Sequence, residues 1–198
     1  MNIIIEFSDN IKHYYNSFEE ILKLDNYNDI IYIYCPNNNL SWLPELPNSL
    51  EYLWCEHNNI SSFPRLPNSL RILDCSNNKL SNLPKLPNSL KELVCAINKL
   101  SSLPQIPNSL TYLNFAHNNI FYLPELPYSL RFIFHNNPIY THINTYFDRN
   151  IDTYHTYQKK IEKIFANKIG NWFLDCKYNP KYLYCRKRLT KEYEELYG

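Results

Sequence analysis

The sequence predicts an α/β fold whose central part is a solenoid of parallel β coils with an extended, polyproline-like convex side. The first observation behind this prediction is a period of 20 residues that runs from about residue 30 to residue 129. The second is a short alternation of apolar and other residues at the start of each period, and the third is a pair of prolines near its end. A fixed period of this kind indicates stacked units that bury their apolar faces only against one another.

Each period begins with a predicted short strand. Leu53 and Cys55 alternate with Tyr52, Trp54 and Glu56, which is the pattern of a strand with one buried face. We expect Leu53 and Cys55 to point into the core and the other three side chains to lie on the concave face of the sheet. Stacked copies of so short a strand should pair in parallel, because each needs its neighbours to be stable.

The turn after each strand carries an asparagine. This column, the predicted structural Asn ladder, consists of Asn38, Asn58, Asn78, Asn98 and Asn118. We predict that each amide bonds backbone groups of its own coil and of the next, because a buried turn needs partners for its polar groups. The prolines that follow, such as Pro44 and Pro47, lack a donor and fix φ at about −65°, which favours an extended return path over a helix.

The pattern L-x-x-L-x-C-x-x-N-x-L resembles the consensus of leucine-rich repeats, and L-P-x-L-P-x-S-L at a period of 20 is similar to the short repeats of bacterial type III effectors. The Asn, Ile, Tyr and Lys bias and the tail also resemble uncharacterised leucine-rich-repeat proteins of giant DNA viruses. The resemblance implies an intracellular scaffold for protein binding, in the cytoplasm, or in the host cytoplasm for a viral protein. A start without a targeting signal and six cysteines favour the same compartment.

Three regions are predicted along the chain. Residues 1–29 form an N-terminal cap, with a strand over residues 3–7 and a helix over residues 17–24. Residues 30–140 form the solenoid, and residues 141–198, with amphipathic helices over 152–174 and from about residue 179, form a helical C-terminal cap. Those helices either cover the last coil or recruit other machinery.

The last repeat departs from the period. Pro138 stands where the asparagine column should continue. A deletion of one residue restores the register and places Phe132, Phe134 and Asn137 in the buried columns.

Several classes of function are disfavoured by composition. With only two glycines the chain cannot carry a P-loop, a dinucleotide fingerprint or a nucleophile elbow. We expect asparagine to occupy the turn positions where glycine is usual. A formal net charge of +1 makes nucleic acid an unlikely partner, no apolar run is long enough for a membrane span, and no small-molecule substrate is indicated. The sequence predicts no enzyme activity, no cofactor and no metal site.

The cysteines and histidines are candidates for metal binding or catalysis, but a structural role explains their positions as well. Four cysteines at 35, 55, 75 and 95 could in principle share a soft metal ion, but Phe115 in the next place of the column favours packing. Cys176 and Cys185 invite comparison with effector ubiquitin ligases, whose C-x-D motif is absent. His57 and His117 share a column three coils apart, too far for joint catalysis.

Exposed aromatic residues give the functional prediction. We predict a partner-binding site on the concave or cap-proximal surface, because large aromatics on an exposed face are typical interface anchors. It comprises Tyr32, Tyr34, Tyr52, Trp54, Glu56 and Tyr112. The chain is thus interpreted as a non-catalytic module that binds a protein partner. Three alternatives stay open: the cap folds over the aromatics, the C-terminal helices make the chain an adaptor in a ubiquitin-pathway or other enzyme complex, or the basic tail binds nucleic acid.

Overall fold

The protein is described by a computed structural model that covers residues 3–127 and 129–146 together with residues 152, 155, 156 and 159. The chain divides into two compact units, Met1–Asp148 and Arg149–Gly198. The four described residues of the second unit are helical. The remainder of the helix predicted over 152–174, the helix predicted from residue 179, and Cys176 and Cys185 lie outside the described residues.

The first unit begins with a hairpin. Strand β1 (Ile3–Glu6) pairs antiparallel with β2 (Lys12–Tyr15), and the turn between them uses Asn10 in the left-handed region, at φ 60°. Strand β2 was not predicted, because Lys-His-Tyr-Tyr shows no apolar alternation. The hairpin places Ile3 and Ile5 in the core.

A single helical turn, α1 (Phe18–Ile21), follows the hairpin and is shorter than the helix predicted over residues 17–24. Ser17 caps it, because its hydroxyl oxygen accepts a hydrogen bond from the Glu20 N–H at 3.4 Å. Phe18 and Ile21 are buried whereas Leu22 is exposed, so the helix ends where its apolar face loses its contacts.

A 3₁₀ turn (Tyr27–Asp29) then leads to the first coil of the solenoid. The Tyr27 hydroxyl donates to the carbonyl oxygen of Glu45 at 2.5 Å and joins this turn to the first convex segment. Burial, aided by the charge of Glu45, raises the pKa of Tyr27 to about 12, so the phenol stays a donor at neutral pH.

Six parallel strands make up the solenoid sheet. They are β3 (Tyr32–Tyr34), β4 (Tyr52–Trp54), β5 (Ile72–Asp74), β6 (Glu92–Val94), β7 (Tyr112–Asn114) and β8 (Arg131–Ile133). The order in the sheet is β2-β1-β3-β4-β5-β6-β7-β8, in which β1 runs antiparallel to both of its neighbours and all other pairings are parallel. The final helix described in full is α2 (Pro138–Tyr146).

The predicted register of the repeats is confirmed. Leu53 pairs with Leu73, both are fully buried, and Leu113 pairs with Phe132, as the one-residue deletion requires. Burying a leucine in this way contributes about 1.5–3 kcal/mol. Phe132 and Phe134 are half-buried rather than buried, because β8 is the last strand of the sheet within the described residues.

The described residues of the convex segments contain neither helix nor strand. A serine column, to which the sequence analysis gave no role, joins them to one another. The hydroxyls of Ser69, Ser89 and Ser109 donate to carbonyl oxygens 19 residues earlier, at 2.7, 2.6 and 2.8 Å. Within the described part of the chain, no helix has the length and apolar character to cross a membrane.

Candidate functional site

The strand face, defined here as the side of the sheet away from the leucine core, consists of two rows of side chains. The register of the strands determines both rows. The first row runs Tyr14, Ile4, Tyr34, Trp54, Asp74, Val94, Asn114 and Ile133, and the second runs Lys12, Glu6, Tyr32, Tyr52, Ile72, Glu92, Tyr112 and Arg131. Neighbours within a row are about 4.8 Å apart along the backbone pairing direction.

Four aromatic side chains gather on β3 and β4. The rings of Tyr32 and Tyr34 lie 6.5 Å apart between centroids and are nearly parallel, and Tyr32 lies 6.3 Å from Tyr52. Trp54 is the register partner of Tyr34, and all four are half-buried. Tyr112 shares their face, but Ile72 and Glu92 separate it from Tyr52, so it does not belong to this aromatic cluster.

The N-terminal hairpin extends the strand face. In β1, Ile4 pairs with Tyr34 and Glu6 pairs with Tyr32, so this strand lies beside β3 in the plane of the sheet and not over the aromatic rings. Tyr14 on β2 continues the first row and is 68% exposed. Sequence reasoning missed Tyr14 because it missed β2; the adjacent Tyr14 and Tyr15 gave no signal of which ring would face outward.

Two carboxylates lie next to the cluster. Asp74 is the register partner of Trp54, and Glu56 follows Trp54 by two residues. Oε2 of Glu56 is buried and receives no hydrogen bond from the described residues. Burial raises the pKa of the Glu56 carboxyl above its ordinary value, Asp74 adds to the rise, and a hydrogen bond from the residue's own backbone and the nearby His57 oppose it.

The asparagine column forms a continuous hydrogen-bond ladder. Oδ1 of Asn58 accepts from the N–H groups of Asn38 and Leu40 at 3.0 and 2.9 Å. Its Nδ2 donates to the carbonyls of Cys35 and Cys55 at 2.9 and 3.0 Å. The bond from the N–H two residues after the preceding asparagine and the two Nδ2 bonds recur at Asn78, Asn98 and Asn118, and Asn137 adds a further rung in the last coil. Each ladder asparagine therefore bonds its own coil and the preceding coil. The prediction of bonds to the next coil was wrong, because the side chain points back along the stack.

The residue before each ladder asparagine has a left-handed backbone. These positions are Asn37, His57, Asn77, Ile97, His117 and Asn136, with φ between 52° and 57°. The two histidines are thus turn residues: Nδ1 of His57 lies 2.6 Å from Nδ2 of Asn77, and the ring of His117 lies 5.1 Å from that of His135.

The cysteine column is part of the core. Cys35, Cys55, Cys75 and Cys95 are buried, and burial raises the pKa of each thiol well above its ordinary value. The thiol of Cys55 donates to the carbonyl oxygen of Asp74 at 3.4 Å. Protonated thiols are poor nucleophiles and poor metal ligands, so these side chains act as small apolar groups. No three His, Cys, Asp or Glu side chains in the described ranges are grouped to hold a metal ion.

Comparison with known proteins identifies the repeat. Residues 48–88 match the family described as leucine-rich repeats in two copies. No curated protein matches the sequence. Among solved structures, the leucine-rich-repeat domain of a Shigella effector is 36% identical, covers 60% of this chain, is itself 53% covered and has a TM-score of 0.55.

Two further structures are similar in sequence over about half of this chain. YopM from Yersinia enterocolitica WA-314 is 42% identical, with 50% of this chain and 22% of that chain covered and a TM-score of 0.49. YopM from Yersinia pestis, described as a leucine-rich effector protein, is 34% identical, with 52% and 37% covered and a TM-score of 0.44. The chain thus spans about half of the Shigella domain and a smaller part of either YopM chain.

Proposed function

Since the repeats of this chain are leucine-rich repeats, we propose that it is a non-catalytic module that binds a protein partner through the aromatic part of its strand face. The observation that carries the proposal is the cluster of Tyr32, Tyr34, Tyr52 and Trp54 on two adjacent strands, in a position that the N-terminal hairpin extends and does not cover. Half-buried aromatics with polar ends are the side chains that most often anchor protein interfaces.

Binding, and not catalysis, is the role that the chemistry of the described residues favours. The four buried thiols are kept protonated, which removes their nucleophilic form. His57 and His117 serve the turns, three coils apart. The similarity to the Shigella effector domain supports the same role at the level of the fold.

The test compares two tryptophans of the same chain. Trp54 lies on the strand face, whereas Trp42 is 55% exposed and follows the turn of its coil, away from that face. Tagged wild-type chain, Trp54→Ala and Trp42→Ala are used to capture partners from extracts of the cells that naturally make the protein. We expect Trp54→Ala to lose partners that Trp42→Ala retains, since truncating an interface anchor weakens binding by about 2 kcal/mol, or roughly 30-fold.

Thermal melts of the three proteins complete the test. Trp54→Ala should melt like the wild type, because the indole lies outside the leucine core. If Trp54→Ala retained every partner while melting like the wild type, the strand face would not be the binding surface.

A further inference from the structure

The strand face carries an excess of negative charge around the aromatic cluster. Between β1 and β6 its two rows include three carboxylates and no cation. The three are Glu6, Asp74 and Glu92, and Glu56 lies beside them, two residues after Trp54. The ammonium of Lys12, at the β2 edge, lies 3.8 Å from Glu6, so the carboxylates nearer to Trp54 are not neutralised by it.

We propose that the strand face binds a basic segment of the partner protein, with an arginine side chain stacked on Trp54 and its guanidinium between Glu56 and Asp74. This inference deepens the protein-binding role proposed above and rests on it. It specifies the chemistry of the partner: a protein segment with exposed arginine.

Glu56 is the first reason for this assignment. Its Oε2 is buried without a hydrogen-bond donor among the described residues, and burial raises the pKa of its carboxyl group. A partly dehydrated carboxylate binds a cationic donor more strongly than a fully solvated one, because the local dielectric is lower.

Asp74 is the second reason. Its Oδ1 accepts from the backbone N–H and the hydroxyl of Ser76 at 2.9 and 2.7 Å, which holds the carboxylate in place. In the described part of the chain, neither Asp74 nor Glu56 forms an ion pair. The charge of each raises the pKa of neighbouring groups, and the nearest arginine in sequence, Arg71, is instead 3.2 Å from Glu51.

The aromatic rings favour arginine over other cations. A guanidinium is planar, stacks on an indole or phenol face, and can donate to two carboxylates from one edge. Trp54 lies between Tyr34 and Asp74 in its row, so a side chain laid on the indole would reach the carboxylates with its head group. The same negative charge would repel an acidic partner.

The experiment is a nuclear magnetic resonance titration of the full chain at low salt. The probe is a capped nine-residue peptide of glycine and serine with three arginines, and its control has citrulline, the neutral isostere, in place of each arginine. The reporter is the indole N–H resonance of Trp54, assigned by its loss in Trp54→Phe. We expect saturable shifts with the arginine peptide and at least about tenfold weaker binding of the citrulline peptide.

Charge variants locate the site. Glu56→Gln and Asp74→Asn should each weaken binding of the arginine peptide at least about fivefold. Glu45→Gln removes the same charge from an exposed position of the first convex segment and should change the affinity by less than about twofold. Melts of each variant verify that the fold is retained.

The possible results separate this inference from the proposed function. Equal binding of both peptides, equal weakening by Glu45→Gln, or no binding of the arginine peptide would each overturn the arginine assignment. In those cases the protein-binding role stands if Trp54→Ala still loses the captured partners. If Trp54→Ala retains all of them, the proposed function fails and this inference fails with it.

Discussion

Oδ1 of Asn58 accepts a hydrogen bond from the backbone N–H of Asn38 at 3.0 Å, although 20 residues of chain separate the two. The same side chain donates to carbonyls in both coils. One amide therefore satisfies buried polar groups of two successive turns, which makes each rung of the ladder more than a local cap.

The hydrogen bonds of the ladder predict that replacing two asparagines of similar sequence context changes the free energy of unfolding by very different amounts. Asn78→Ala should lower the free energy of unfolding by at least about 2 kcal/mol, because it leaves the Ile60 N–H and buried carbonyls without partners. Asn68→Ala, at an exposed convex position, should change it by less than about 0.5 kcal/mol. Urea denaturation measures both, and equal losses would contradict the role assigned to the ladder.

The left-handed backbone of Ile97 predicts that a substitution at this position stabilises the protein. It is β-branched, 50% exposed and held at φ 56°, a backbone conformation that asparagine adopts at Asn37 and Asn77 in the same column. Because this conformation costs a β-branched residue about 1–2 kcal/mol, Ile97→Asn should raise the free energy of unfolding by about 1 kcal/mol. Ile97→Val keeps the branch and should give no gain in the same urea titration; a gain equal to that of Ile97→Asn would show that backbone strain is not the cause.

The buried thiols predict a loss of stability in alkali. Burial raises the pKa of Cys55 and Cys75 well above the ordinary value of 9.0, so the unfolded chain ionises these thiols at a lower pH than the folded chain does. Their contribution is fully present below about pH 9 and is lost as the pH rises further. The urea midpoint should therefore fall above about pH 9.

A double variant, Cys55→Val with Cys75→Val, is the control for this pH dependence. It keeps the column apolar and removes two of the ionisable groups, so its midpoint should fall less steeply over the same pH range. A fall as steep as that of the wild type would assign the pH dependence to other groups, such as the tyrosines.

Most of the fold could be predicted because the chain repeats. The N-terminal segment has no repeats, and its strand β2 and the extent of α1 could not be predicted. Leu53 and Leu73 could be assigned to the core because the same pattern recurs in register, and even the shifted last repeat was placed correctly through Asn137. Strand β2 has no repeat and no alternation, so only its pairing with β1 reveals it. The extent of α1 likewise depends on packing and not on its own sequence.

The candidate site was predictable in part for the same reason. The repeat columns predicted that Trp54 and Tyr34 share one face. Tyr14 continues the same row through the hairpin of β1 and β2, and β2 was not predicted from the sequence. Asparagine was expected at the turns in place of glycine, yet Ile97 and two histidines occupy three of the left-handed turn positions. Tertiary hydrogen bonds, such as that from the Ile97 N–H to Ala116, hold the backbone there whatever the side chain prefers.

The antiparallel pairing of β1 with β3 has a consequence for how the chain finds its alignment during folding. Identical columns recur every 20 residues, so two coils that paired out of step by one full repeat would still match leucine with leucine and asparagine with asparagine. The hairpin is aperiodic, and its pairing of Ile5 with Ile33 can be made at one end of the stack alone. The N-terminal hairpin therefore marks the β3 end of the stack, as the shortened last repeat marks the β8 end.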